Sequence, residues 1–249
     1  MNASKKTNQS PILILADFSD GSWHAASFAM QFLYRQKSRL SILQTYEDPG
    51  WGCFMMRKLS HHLKKITKNE LSALKRKLTA HFNIDKQSIN AISYEGKLND
   101  VLHYKTILKE DYILVLSTYS SFKDSCNRQN GCLKKIIDTA QNPLFILPGS
   151  FDDGVNKKIL FVAHPQKNVS VALCKKVLEI CQKTRSNLDV LFVLTSQDQQ
   201  VPESVKQSFR ELCDETAVSF STIHDKKKCK GIDHYLNNST PDLIVIEND

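Results

Sequence analysis

A carboxylate at the end of a buried apolar run is the first place to look for chemistry in this chain. Ile12 to Ala16 is a run of five apolar residues between Pro11 and the polar turn Asp17-Phe-Ser-Asp-Gly21. A short apolar run between turn signals reads as a strand buried on both faces, as in a parallel sheet. A helical pattern follows from Ser22 to Tyr34. Strand, tight turn and helix open a doubly wound α/β unit. In such a sheet the turn after the first strand lies at the carboxyl edge, where ligands bind. Asp17 stands on that edge. Other reactive constellations are missing. No Cys-x-x-Cys pair and no His-Glu-x-x-His spacing occurs, so a metal site has no support. There are no paired carboxylates and no Ser-His-Asp set with elbow glycines. No catalytic residue is therefore assigned, and an enzyme is not expected. His61-His62 falls within a basic helical segment and reads as solvated.

The seven cysteines, at 53, 126, 132, 174, 181, 213 and 229, have no framework spacing. Reduced thiols of a cytosolic protein fit this pattern better than a disulfide scaffold. Cys174 and Cys181 are seven residues apart, share one helix face and read as core residues. Cys132 precedes a helical pattern. It is the one thiol with a physical reason for a lowered pKa, although a small residue filling the position is the simpler reading.

The elements that must position Asp17 come in two series. The first reads as strands at 12–16, 39–46, 88–94, 112–117 and 143–147, with helices at 22–34, 57–81, 98–109 and 131–140 between them. Ser150 to Asn156 is a polar link, and then the pattern restarts. Lys158 to Ala163 matches Ile12 to Ala16 in register, with His164 where Asp17 stands. Helix 169–184, strand 187–194, helix 202–215, strand 217–223, a short helix 231–236 and strand 241–246 follow. The second series lacks the fourth helix and fifth strand of the first. A repeat this long predicts two tandem α/β domains, 11–149 and 156–249, the second incomplete.

The residues now in hand resemble the universal stress protein family. Ile12 to Ser22 resembles its opening strand and turn, Tyr112 to Ser120 its fourth strand, and Gly131-Cys132 with Asn142 to Leu147 its ending. The resemblance implies two open, doubly wound parallel sheets of the Rossmann-like, adenine nucleotide alpha hydrolase-like class. It also implies a choice between nucleotide-binding and non-binding branches. In the binding branch a Gly-x-x-Gly-x9-Gly-Ser/Thr loop follows the fourth strand, and an acidic residue after the first strand receives the sugar or base. Glycines let backbone N–H groups approach phosphates, and the hydroxyl adds a donor at a helix start.

Here Asp17 and Gly131 are present, with Cys132 in the hydroxyl place, where a thiol is a weak donor. The first two glycines are absent. Aligning on the strand puts Ser117 and Ser120 there, and aligning on the spacing puts Thr118 and Ser121 there. A non-glycine residue held in left-handed geometry costs about 1–2 kcal/mol, and its Cβ obstructs the phosphate. The expected function is thus a non-nucleotide-binding stress-response protein acting through protein association, with no cofactor. The alternative is an ATP- or AMP-binding regulatory module, taking ATP with Mg at Asp17, Ser117, Ser120, Gly131 and Cys132.

Composition sets the partners. The formal charge of +8 is uneven: residues 1–149 carry 21 Lys/Arg and 12 Asp/Glu, and residues 150–249 carry 13 and 14. Much of the excess lies between Arg57 and Lys77, in a segment whose leucines recur at helical spacing. Its basic residues read as a wet face. With no nucleic-acid motif and no cluster of stacking aromatics, no nucleic-acid partner is expected. No apolar run approaches the roughly 18 residues that cross a bilayer, and the polar first ten residues do not open a signal peptide. A cytoplasmic protein is expected. The family resemblance implies that Pro143 to Leu147 can pair two domains across a two-fold or pseudo-two-fold axis. The edge of the incomplete second sheet must be covered by the other half, by a second chain or by charge, and a homodimer or homo-oligomer is expected.

Overall fold

The structure is a computed structural model, and it describes residues 10–17, 19–35, 38–47, 59–104, 112–118, 132–149, 151, 154–167, 169–196, 199–213 and 216–248. Nine strands and seven α-helices lie among them. The first array holds β1 (Ile12–Leu15), β2 (Leu40–Tyr46), β3 (Ile89–Glu95), β4 (Ile113–Ser117) and β5 (Leu144–Leu147). Its helices are α1 (Gly21–Phe28, running on through a π-helical turn to Leu33), α2 (Leu59–Phe82), α3 (Leu98–Tyr104) and α4 (Cys132–Thr139). The second array holds β6 (Ile159–Ala163), β7 (Leu188–Leu194), β8 (Val218–His224) and β9 (Leu243–Ile246). Its helices are α5 (Val171–Thr184), α6 (Glu203–Leu212) and α7 (Lys228–Leu236).

Within each array every pairing is parallel, and the central strands are buried on both faces. That is why β1, β4, β5, β6 and β9 read as unbroken apolar runs. The arrays then join edge to edge. Strand order is β3-β2-β1-β4-β5-β9-β6-β7-β8, one continuous nine-stranded sheet. β5 and β9 run antiparallel, with Leu144 opposite Ile246, Phe145 opposite Val245 and Ile146 opposite Ile244. The β9 edge of the second array is covered by β5 of the same chain. That edge therefore gives no reason for a second copy, and the ground on which a homodimer was expected falls away.

Helices cover both faces. One core packs α1, α2, α5 and α6 on one face of the sheet, and the other packs α3, α4 and α7 on the opposite face. An aromatic knot packs α1 and the link after β5 against the seam strand on the first face. Phe28 lies 5.3 Å from Phe32, 6.1 Å from Phe145 and 5.2 Å from Phe151, ring centre to ring centre. Arg35, just beyond α1, forms an ion pair with Glu179 on α5. On the second face the Asp138 carboxylate of α4 accepts a bond from the Cys229 N–H in the first turn of α7 at 3.4 Å.

The sequence places a helix start at Gly231, but α7 begins at Lys228 and carries Gly231 inside it. The reason is contact. A Cβ at Gly231 would stand 2.5 Å from Val193 Cγ1 on β7. The glycine is there so that the helix can lie against the strand, not to end a turn. Gly231→Ala should therefore destabilise the fold by about 1–3 kcal/mol through overpacking, despite the roughly 1 kcal/mol that alanine gains in a helix. Urea denaturation followed by circular dichroism checks this. An unchanged or higher midpoint would refute the close approach.

Candidate functional site

At the carboxyl edge of the first array, the β1–α1 turn is a bracket built on Ser22. The Ser22 hydroxyl accepts a bond from the Asp17 N–H at 2.8 Å. It donates to the Asp17 carbonyl at 2.5 Å, and it lies 3.0 Å from Asp17 Oδ1. Ser19 completes the turn: its N–H donates to Asp17 Oδ1 at 3.0 Å, and its hydroxyl donates to the same oxygen. This is an Asx-type turn, and it fixes the carboxylate at the mouth of the sheet. The adjoining helix start is tight. A Cβ at Gly21 would meet Ser19 Oγ at 3.0 Å and Ser117 at 3.3 Å.

A cleft of about 240 Å3 opens beside this turn, between the ends of β1 and β2 and the flank of α2. Asp17, Asp20 and Glu70 bring three carboxylates to it, against one ammonium, that of Lys77. The Lys77 Nζ already sits 4.0 Å from the centre of the Trp23 ring, a cation–π contact. A lining this acidic suits hydroxyls or a cation better than a phosphate. At the floor lies Gln44 of β2, only 3% exposed, whose amide nitrogen has no hydrogen-bond partner. A buried unpaired amide is costly, of the order of 1–3 kcal/mol, so a ligand acceptor there would be favoured. Sequence reasoning missed Gln44. The signal was its place in the otherwise mainly apolar run of β2, where a buried parallel strand rarely carries an amide.

Of the residues predicted for a nucleotide site, Asp17 and Ser117 are brought to neighbouring strand ends. The Ser117 hydroxyl donates to the Leu147 carbonyl at 3.1 Å, holding β4 to β5. Thr118, the alternative in that position, is buried, and its N–H donates to the same carbonyl at 2.8 Å. Ser120, Ser121 and Gly131 lie outside the described residues. Cys132 is the first residue of α4, and its side chain is likewise outside the description.

The corresponding edge of the second array is filled differently. His164 follows β6 and accepts a bond from the Gln166 N–H through Nδ1 at 3.1 Å. Glu247, in the register position of Ser117, is 9% exposed and accepts the Ser170 N–H at 2.7 Å, just ahead of α5. A negative side chain at a helix start is favourable, and here the chain supplies its own.

The buried thiols offer no nucleophile on this edge. Cys174, Cys181 and Cys213 lie in the core of the second array. A thiol hydrogen bond with Cys213, together with burial, holds the Cys174 thiol far above its ordinary range, and the same bond pulls Cys213 down. Burial pushes Cys181 up to about 12. Among the described residues no group of three His, Cys, Asp or Glu side chains is placed to hold a metal ion. No described helix is long and apolar enough to cross a membrane.

A parallel five-strand array in the order 3-2-1-4-5, an acidic residue after its first strand and a second array of the same kind can now be set against known structures. A universal stress protein from Archaeoglobus fulgidus overlays with a TM-score of 0.56 at 11% identity, covering 96% of this chain and 97% of that one. The chain has the universal stress protein fold. Two looser overlays are the cytoplasmic domain of a prokaryotic cation chloride cotransporter (TM-score 0.49, 11% identity, 96% and 95% coverage) and a universal stress protein in complex with cAMP (TM-score 0.44, 16%, 57% and 98%). Neither is near enough to bear on function. No protein-family model and no curated protein matches the chain.

Within this fold the turn bracket is a stability element as well as a site. Ser22→Ala leaves the Asp17 N–H and carbonyl without their partner. It should cost about 1–2 kcal/mol, seen as a fall of roughly 2–8 °C in Tm. A melt within 1 °C of wild type would show that solvent replaces the bracket.

Proposed function

We propose that this chain is a universal stress protein-like molecule of the non-nucleotide-binding type, acting in the stress response through association with other proteins. The observation that carries the reading is that groups on both carboxyl edges are engaged within the chain. Asp17 Oδ1 is held by the N–H and hydroxyl of Ser19, Ser117 by the Leu147 carbonyl, and Glu247 occupies the start of α5. The acidic lining of the first cleft opposes a triphosphate on the same side. The reading assigns no catalytic residue and no cofactor.

Gln44 favours a second reading, in which the cleft takes an adenosine-type ligand by its base and sugar. Calorimetry of the full chain with ATP-Mg and with adenosine separates the two. The first reading expects no heat from either ligand at millimolar concentration. Micromolar binding of ATP-Mg that Asp17→Ala abolishes would replace it with a nucleotide-responsive module. Heat from adenosine alone that Gln44→Leu abolishes would establish the second reading.

Association is supported by the outer strands. Among the described residues β3 and β8 each have one neighbour, and neither strand carries a lysine or a proline. Such edges are open to pairing with another strand. Sedimentation velocity should show self-association, the simplest form of this behaviour, at concentrations of about 100 μM, beyond the weak end of specific pairing. A sharp 28.4 kDa species at that concentration would remove the homo-oligomer.

A further inference from the structure

The longest helix has two different sides. α2 runs 24 residues, about 36 Å at 1.5 Å per residue. Thr67, Leu71 and Leu78 are buried on one side, and Thr79 is buried in the last turn, beyond the cationic stripe that ends at Arg76. At about 100° per residue, Lys64, Lys65, Lys68, Lys75 and Arg76 fall within one sector of roughly 120°. Glu70 and Lys77 fall on the opposite side, on the cleft described above. The stripe therefore contains no acid. Four of its five cations are exposed and Lys75 is half-buried. None of the five makes an ion pair among the described residues.

We infer that this stripe is a docking surface for the phosphodiester backbone of duplex nucleic acid, bound without reading its bases. Composition alone gives no reason for such a partner, but the placement does. From Lys64 to Arg76 is about 18 Å of helix, so the cations average roughly one per 4 Å. Duplex DNA presents one phosphate per about 3.4 Å of each strand, and the charge densities correspond. Between His61 and Arg76 the sector otherwise holds only His61 and Ser72. Over that span it has no Phe, Tyr or Trp on which unpaired bases would stack. It has no apolar anchor for a bilayer either, since the exposed Ile66 lies off the stripe. The surrounding field agrees in sign, because residues 1–149 carry the excess of positive charge.

The test is fluorescence anisotropy of a labelled 20-base-pair DNA duplex of mixed sequence, titrated with the full chain. In about 50 mM salt the duplex should bind in the micromolar range, and log K should fall against log salt with a slope of about −4. The triple variant Lys64→Glu/Lys68→Glu/Lys75→Glu should lose at least tenfold in affinity and about 3 in slope. The variant Lys175→Glu/Lys206→Glu/Lys226→Glu changes net charge equally but leaves the stripe intact, and its affinity should stay within about twofold of wild type by the same rule. Should the first triple variant melt abnormally, single Lys64→Gln and Lys68→Gln variants replace it, each lowering the slope by about 1. Three results would overturn the inference: no binding at 50 mM salt, equal losses in the two triple variants, or binding to phosphatidylserine vesicles with none to the duplex.

Discussion

The pairing of β5 with β9 is the constraint on which the rest of the architecture depends. A strand edge inside a protein must be paired, because an unsatisfied backbone N–H or carbonyl costs as much as a lost hydrogen bond. Among the described residues the second array has four strands, and something must close its β9 edge. β5 serves both arrays, parallel to β4 on one side and antiparallel to β9 on the other. Phe145, at the middle of the seam, points into the knot of Phe28, Phe32 and Phe151. The seam is thus held by backbone bonds in its plane and by aromatic packing above it. The outcome is a single sheet whose two cores each draw residues from both arrays.

The seam also separates the two carboxyl edges. Because β5 and β9 are antiparallel, the Asp17 turn and the His164 turn open at opposite ends of the sheet. They are unlike in chemistry as well as in place. One end presents an acidic cleft over an unpaired amide, and the other is closed by Glu247 on the start of α5. α2 adds a third environment. Its cleft side carries Glu70 with Lys77 on Trp23, whereas the charged residues of its flank are all basic. One amphipathic helix therefore borders an acidic pocket and a basic surface, a contrast that net charge cannot express.

Much of the fold was legible in the sequence because burial on both faces of a parallel strand demands an apolar run. Ile12 to Leu15, Ile113 to Leu116 and Leu243 to Ile246 declare themselves in this way, and helices of period 3.6 fill the intervals. The partner of a run is not written in it. Leu243 to Ile246 is buried equally well beside its own array or between two arrays, so the sequence left open whether the other half, a second chain or charge covers its edge. Gly231 was misread because a glycine that permits close packing inside a helix looks the same as one that marks a helix boundary. The site was legible at Asp17, whose carboxylate follows a strand and begins an Asx turn. It was not legible at Gln44 or Glu247. Each is a polar residue at or near the end of an apolar run, where a turn residue would look the same, and its meaning depends on a neighbour from another strand or from a helix start.

β9 is the last of the nine strands in sequence and the sixth in space, between β5 and β6. Strands that meet across long stretches of chain pair late, since loop closure must precede the contact. During synthesis β1 to β5 can assemble as soon as Leu147 has left the ribosome. From then on β5 offers a bare flank until Leu243 to Ile246 emerges, nearly a hundred residues later. At several residues per second that interval lasts on the order of 5–20 s. For that time the nascent chain holds an apolar strand edge open in the middle of its eventual sheet, so its exposure to chaperones and to neighbouring polysomes is set by strand order rather than by stability.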